Sequence, residues 1–242
     1  MERINDNVLR MGTSIVNWYL VADDDGVTVV DAAFPAYGSQ LGEGLRELGR
    51  SQSDLKAIVL THAHADHVGF AEQLRRKLGI PVYVHRGDVE LAGNLQPFGS
   101  TAGSMLPYFR YPTCLRFIGE WITKGGARPH PIAEVTPFED GDELPVPGRL
   151  RAIHTPGHTD GHAAFVSGEV MLTGDALCTL NPLTGKRGPQ VLPAAVTASV
   201  DEALASLDKL VDSGASVVLP GHGDPQREPN DAVADAKRRG PT

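Results

Sequence analysis

The sequence predicts a layered α/β fold. Two observations carry that prediction. Short apolar runs of strand type alternate with amphipathic helical stretches, and the strand-type runs end again and again in histidine or aspartate. The length of 242 residues is consistent with it, because it is ample for a real core. The 41% hydrophobic and 21% charged content is that of an ordinary globular chain, not a disordered one.

The elements follow in order. Trp18-Tyr19-Leu20-Val21 and Val27-Thr28-Val29-Val30 read as two strands. Asp23-Asp24-Asp25-Gly26 between them is turn chemistry, so the pair is expected to form a hairpin. From Ser39, the positions Leu41, Leu45 and Leu48 make a helical stripe that Gly49 ends, weakened by Gly42 and Gly44. Ala57-Ile58-Val59-Leu60 is a buried strand. Phe70, Leu74 and Leu78 give a second helix ending at Gly79, and Pro81–Val84 gives the next strand. Such a strand–helix–strand unit crosses over right-handed.

Residues 87–140 mix Pro, Gly and aromatics, as in Pro97-Phe98-Gly99 and Leu106–Pro112, with a short helix near Cys114–Thr123. We read this segment as a cap inserted into a single domain spanning 1–242. Strands resume at Leu150–Ile153, Ala163–Val166 and Val170–Thr173. Ser199-Val200-Asp201-Glu202 is a capping box opening a helix, Val217–Leu219 is a last strand, and the tail from Pro225 holds one more helix.

Composition excludes several functions. A net charge of −8 argues against a nucleic-acid partner. No apolar run is long enough for a membrane partner. The start, Met1–Asn7, lacks a signal-type apolar stretch, which gives the expectation of a cytoplasmic protein. Cys114 and Cys178 read as free thiols. Oligomeric state is left open.

The strand ends carry the chemistry. Asp31 follows Val30; Thr61-His62-Ala63-His64-Ala65-Asp66-His67 follows Leu60; His154–His158 follows Ile153; Gly174-Asp175 follows Thr173; Pro220-Gly221-His222 follows Leu219. Ligand sites of layered α/β folds lie beyond the carboxyl ends of strands, so these loops can converge. In an extended segment His62, His64 and Asp66 share a face. Imidazole with carboxylate suits zinc, and iron or manganese less selectively. His62, His64, Asp66, His67, His158, Asp175 and His222 exceed what one ion needs and suit two sharing a carboxylate. Asp31, His154 and His162 are expected to orient these ligands through hydrogen bonds. His85 and His130 read as surface residues. Cys178, three residues after Asp175, is a candidate for the pocket lining.

His62-Ala63-His64-Ala65-Asp66-His67 resembles the HxHxDH signature of the metallo-β-lactamase superfamily. Thr155–His162, Thr173-Gly174-Asp175 and Gly221-His222 resemble its later motifs in the same order. The resemblance implies an αββα four-layer sandwich with the metal site at one edge of two sheets. It implies His62, His64 and His158 on a first metal, Asp66, His67 and His222 on a second, and Asp175 bridging both. The implied cofactors are two divalent ions, zinc first, with iron or manganese as alternatives. The implied reaction is hydrolysis of a small acyl ester, thioester or lactone by a metal-bridged hydroxide, with Asp66 orienting it or taking up a proton.

Thr155–His162 looks like glyoxalase II and related thioesterases, but their Gly-Cys-Gly-Arg segment is replaced here by Ala176-Leu177-Cys178-Thr179. A β-lactamase-type amide hydrolase is a further alternative, disfavoured by Asp175. An oxidoreductase like the persulfide dioxygenases, with one iron on His62, His158 and Asp175, is another. Within the cap, Leu106, Tyr108, Phe109, Tyr111 and Trp121 are candidates for an apolar pocket wall, and Arg110 or Arg116 for holding a substrate carboxylate.

Overall fold

Two sheets lie at the centre of the molecule. The computed structural model describes residues 1–13, 15–95, 103–128 and 130–242. The first sheet runs in chain order: β1 (Glu2–Arg3), β2 (Val8–Gly12), β3 (Asn17–Asp23), β4 (Gly26–Val30), β5 (Leu55–Val59), β6 (Val82–His85) and β7 (Thr136–Phe138). It is antiparallel up to β4 and parallel from β4 to β7. Its crossovers carry α1 (Leu41–Glu47), α2 (Ala71–Leu78), α3 (Val89–Gly93) and α4 (Pro112–Thr123).

The second sheet holds β8 (Arg151–His154), β9 (Ala163–Ser167) and β10 (Val170–Gly174). β11 (Cys178–Leu180) and β12 (Arg187–Gln190) form a separate hairpin. After α5 (Val200–Ser206), β13 (Val217–Pro220) and β14 (Gln226–Arg227) complete the second sheet in the order β14-β13-β10-β9-β8, and α6 (Pro229–Arg239) ends the chain.

The alternation of strand side chains builds the layers. Along β3, Trp18, Leu20 and Ala22 face outward and pack with Leu41 and Leu45 of α1 and Leu74 of α2. Tyr19 and Val21 face inward and meet Ala152, Phe165, Leu172 and Leu219 of the second sheet. On that sheet's far side Ile153, Ala164, Met171 and Val218 pack on Ala203 of α5 and Ala232, Val233 and Ala236 of α6. The result is helix, sheet, sheet, helix. Each large aliphatic or aromatic side chain buried this way contributes roughly 1.5–3 kcal/mol.

Local chemistry sets the ends. The β3–β4 hairpin closes where expected, with Asp23 paired to Gly26 and the Asp25 amide donating to Asp23 Oδ1 at 2.8 Å. Gly79 caps α2 at φ 68°, a left-handed position that glycine takes without cost. Ser199 Oγ accepts from the Glu202 amide at the start of α5. Gly44, which weakens α1 on propensity, lies close against the core: a Cβ there would lie 2.8 Å from Leu20 Cδ1 and 2.9 Å from Met11 Cε, so those side-chain ends would have to shift. The chain before α1 forms a 3-10 turn at Pro35–Gln40, so the helix starts later than the serine suggests.

The segment expected as a cap does not stay outside the sheet to residue 140. β7 returns to pair parallel with β6, and its Pro137 is tolerated because β7 is an edge strand. Pro97-Phe98-Gly99 lies outside the described residues. Among the described residues, no helix is long and apolar enough to cross a membrane.

Candidate metal centre

The carboxyl ends of β4, β5, β8, β10 and β13 point to one place. Three trios of donors converge there: His62, His64 and His158; His62, His67 and Asp175; Asp66, His67 and His222. Within each trio the donor atoms lie within 4.8 Å of one another. All seven side chains singled out from the sequence are therefore in one cluster. Asp175 is at its middle, with oxygens 3.3 Å from His158 Nε2, 3.2 Å from His222 Nε2 and 3.6 Å from His67 Nε2. Asp66 Oδ2 is 3.5 Å from His222 Nε2 and 3.9 Å from His67 Nε2.

The backbone makes this approach possible by omitting side chains. At Gly221 a Cβ would overlap Asp175 Oδ1 and crowd His67, and at Gly174 it would lie 2.6 Å from Thr61 Oγ1. Gly174 also takes a left-handed φ of 48°.

Four of the five imidazoles are fixed through their outward nitrogen, and the fifth, His64, places its Nδ1 2.9 Å from His158 Nε2 inside the cluster. His67 Nδ1 donates to Asp31 Oδ2 at 2.8 Å. Thr61 Oγ1 donates to the same oxygen at 2.8 Å, so it accepts from His62 Nδ1, 3.0 Å away. Thr197 Oγ1 donates to the Leu192 carbonyl and accepts from His158 Nδ1 at 3.3 Å. His222 Nδ1 donates to the Ile15 carbonyl. In all four rings Nδ1 is thereby the nitrogen bonded outward and Nε2 the one turned inward. Asp31 does this from a left-handed backbone conformation, φ 60°, that few non-glycine residues adopt.

His162 supports the cluster differently. Its Nε2 accepts from the Asp175 amide at 3.0 Å, so Nδ1 carries the proton and donates to Thr155 Oγ1 at 2.8 Å. Burial pushes its pKa down to about 3, and a neutral ring is what this bonding requires. His154 stands apart from the donors. It stacks on His85 at 4.0 Å and 12°, and its Nε2 donates to the Asp160 carbonyl at 2.9 Å. His85 itself is buried rather than a surface residue.

The residues fit divalent metal. His62 Nε2 and His67 Nε2 are buried with no hydrogen-bond partner, which is costly for a polar atom unless something else binds it. Burial pushes His62 and His158 well below the usual imidazole range, leaving them neutral and able to donate lone pairs. Burial also disfavours charge on His67, but Asp175, Asp31 and Asp66 outweigh it and raise its pKa to about 10. The carboxylates thus create a demand for positive charge at the heart of the cluster. Neutral imidazoles around carboxylates are the donor set of zinc, iron or manganese.

One supporting residue was not foreseen. Asp88 follows β6, is buried, and accepts from the Ala63 amide at 2.9 Å, the Thr159 hydroxyl at 2.8 Å and the Gly161 amide at 2.7 Å. It ties the loop bearing His62 and His64 to the loop bearing His158. Its only sequence signal is an aspartate just past a strand, the same signal that marks Asp31 and Asp175.

A cavity opens over His64, Asp66, His158, Asp175 and His222. Its wall differs from the expected one. Trp121 lines the cavity together with Phe117, but Tyr108, Phe109 and Tyr111 do not. Tyr108 and Tyr111 instead pack around Cys114, and Phe109 is 47% exposed. A cavity-facing stripe on α4 places Phe117 and Trp121, four residues apart, toward the donors and the preceding turn away from them. Leu106 is exposed as well. Arg110 and Arg116 do not line the cavity either. Cys178 is buried behind Asp175, its Sγ donating to Asp175 Oδ1 at 3.6 Å, and does not reach the cavity. Burial and the neighbouring carboxylate push its pKa far up, so it stays a thiol.

The family model described as the metallo-beta-lactamase superfamily matches residues 11–222. A probable metallo-hydrolase, YflN of Bacillus subtilis, is 28% identical over 231 residues, covering 89% of this chain and 83% of that one. A metallo-beta-lactamase family protein of Thermus thermophilus, TTHA1429, superposes with a TM-score of 0.71 at 30% identity, over 98% of this chain and 80% of that one. The protein TTHA1623, solved in a di-iron-bound form, superposes with a TM-score of 0.61 at 30% identity, over 90% of this chain and 93% of that one.

Proposed function

The chain belongs to the metallo-beta-lactamase superfamily, and from that premise we propose a hydrolase that works with two divalent ions on a small acyl ester, thioester or lactone. The observation that carries this reading is the convergence of three donor trios around one shared region, with bare imidazole nitrogens turned inward. His62, His64 and His158 would hold one ion, Asp66, His67 and His222 the other, and Asp175, between the two sets, would touch both. Zinc is the first choice, with iron or manganese compatible with the same donors. Such ions supply polarisation of the acyl carbonyl and a nucleophilic water at neutral pH.

The protein's own groups do the rest. Asp66 faces the cavity, its side chain 15% exposed, where it can orient the attacking water and receive its proton. Asp31 and Thr61 hold His67 and His62 through Nδ1, so that each ring turns Nε2 toward the place a metal would take. Phe117 and Trp121 exclude bulk water from one side of the reacting centre.

The test is metal analysis of the purified chain together with an acyl panel of esters, thioesters, lactones and β-lactams. Two ions per chain and chelator-sensitive hydrolysis are expected. One iron per chain with sulfide-dependent oxygen uptake, or full activity in the double variant His62→Ala, His64→Ala, overturns the reading.

A further inference from the structure

The floor and the wall of the cavity have opposite chemistry. Apart from the five donor side chains, every described lining residue is apolar. Phe117 and Trp121 come from α4, and Leu183, Leu192, Ala195 and Val196 come from the long stretch around β12. Leu183 and Leu192 are at most 1% exposed, whereas Phe117, Trp121 and Val196 are half-buried toward the mouth. No Lys or Arg lines this wall, and none of the undescribed residues carries a charge.

The cations on and beside α4 do not line the cavity and have contacts of their own. Arg110 Nη2 donates to the Tyr111 hydroxyl at 2.9 Å. Arg116 pairs with Glu120 at 3.3 Å, and Lys124 lies 6.0 Å from the centre of the Tyr37 ring. A carboxylate pressed against the wall would lose its hydration and gain no partner, which is strongly unfavourable. An alkyl chain in the same place loses only unfavourable contact with water.

We propose that the acyl group taken by this site is uncharged and apolar, and that Leu183, Leu192, Val196 and Trp121 set that preference. The proposal rests on the hydrolase reading and narrows its substrate class. In the reaction, the oxygen of water bonds to the acyl carbon. The acyl–oxygen or acyl–sulfur bond breaks, and the leaving group departs with a proton from that water. The products are an aliphatic carboxylic acid and an alcohol or thiol.

The experiment compares 4-nitrophenyl and thiophenyl esters of butanoic, pentanoic and hexanoic acids with the hemisuccinates, which match pentanoyl in length but end in a carboxylate. On the metal-loaded chain, kcat/KM should rise about fourfold per added methylene. The hemisuccinates should be slower than the pentanoates by at least about tenfold. Val196→Arg, at the half-buried mouth, should shrink or invert that ratio, and Leu192→Arg should do the same if it folds. Hemisuccinates cleaved as fast as pentanoates, or a ratio unmoved in Val196→Arg, overturn the proposal.

A binding arm separates this failure from failure of the hydrolase reading. Pentanamide should quench Trp121 emission and succinamate should not, with Trp121→Phe removing the signal. If no ester is cleaved but pentanamide alone binds, the hydrolase reading falls and the apolar acyl site stands. If neither amide binds and no ester is cleaved, both fall.

Discussion

The donor floor and the apolar wall face each other across one cavity but are held in place by different physics. Four of the five donor rings are pinned by a named atom behind them: Asp31 behind His67, Thr61 behind His62, Thr197 behind His158, the Ile15 carbonyl behind His222; the fifth, His64, bonds within the cluster, its Nδ1 2.9 Å from His158 Nε2. The wall has no such pins. Leu183 and Ala195 pack with Cys114, and Tyr108, Tyr111, Phe117 and Val196 lean on that cluster. A floor built from directional bonds fails when one atom is wrong. A wall built from contacts tolerates exchange of one apolar shape for another. Directional bonding and exchangeable apolar packing are thus kept in separate parts of the molecule.

The largest effect is expected at Asp175, whose oxygens approach His158 of one donor set and His67 and His222 of the other. Asp175→Ala should lower hydrolysis by on the order of 10³-fold. It should also reduce bound metal to one ion or fewer, read by elemental analysis. A variant that keeps two ions and most of its activity would show that the two sets do not share this carboxylate.

Next come the pins. Asp31→Asn removes the anionic acceptor of His67, and Asp88→Asn weakens the tie among Ala63, Thr159 and Gly161. Each should weaken metal binding by about 10–100-fold, read by competition with a chromophoric chelator. Asp88→Ala, which strands three buried donors, should also cost about 3 kcal/mol of stability in denaturant unfolding. The wall supplies the contrast. Leu192→Ala leaves the Leu192 carbonyl in place to accept from Thr197, so chelator competition should be unchanged while KM for a hexanoyl ester rises several-fold. Equal losses of metal affinity in Leu192→Ala and Asp88→Asn would break the comparison between floor and wall.

The same contrast governs what the sequence discloses. Donor chemistry is written in residue type, so His62, His64, Asp66, His67, His158, Asp175 and His222 could be picked out before any fold was known. The strands that deliver them are legible too, because Ala57–Leu60 and Val217–Leu219 are apolar throughout. Asp88 escapes because a carboxylate's role is set by partners distant in sequence, here Thr159 and Gly161. Phe117 and Trp121 escape in part because an aromatic pair four apart fits a core as well as a cavity. β7 and β12 escape because Thr-Pro-Phe and Arg-Gly-Pro-Gln lack any strand pattern and pair only because a neighbouring edge is present. Gly44 misleads for a related reason: its cost to the helix is local, whereas its benefit is the space it leaves Leu20 and Met11.

The smallest expected effect lies outside both regions and shows what an unrelated carboxylate does. Glu72 on α2 accepts from Arg75 Nε at 2.7 Å and Nη2 at 3.1 Å, and from the Ala133 amide at 3.4 Å. The Arg75 guanidinium, together with that amide, holds its carboxyl below the usual range, against the opposing effect of burial. Because the folded value lies under the unfolded one of about 4.3, the contribution to stability is fully present above that pH. It is lost as the pH falls through the folded value. Glu72→Gln should therefore destabilise the chain by about 0.5 kcal/mol near neutrality, small because Arg75 is partly open to solvent. The difference from the unaltered chain should vanish in acid, read by urea unfolding at a series of pH values. Metal affinity and acyl preference should both stay where they are. A shift in either would mean that α2 transmits to the cavity, and that floor and wall are less separate than their contacts indicate.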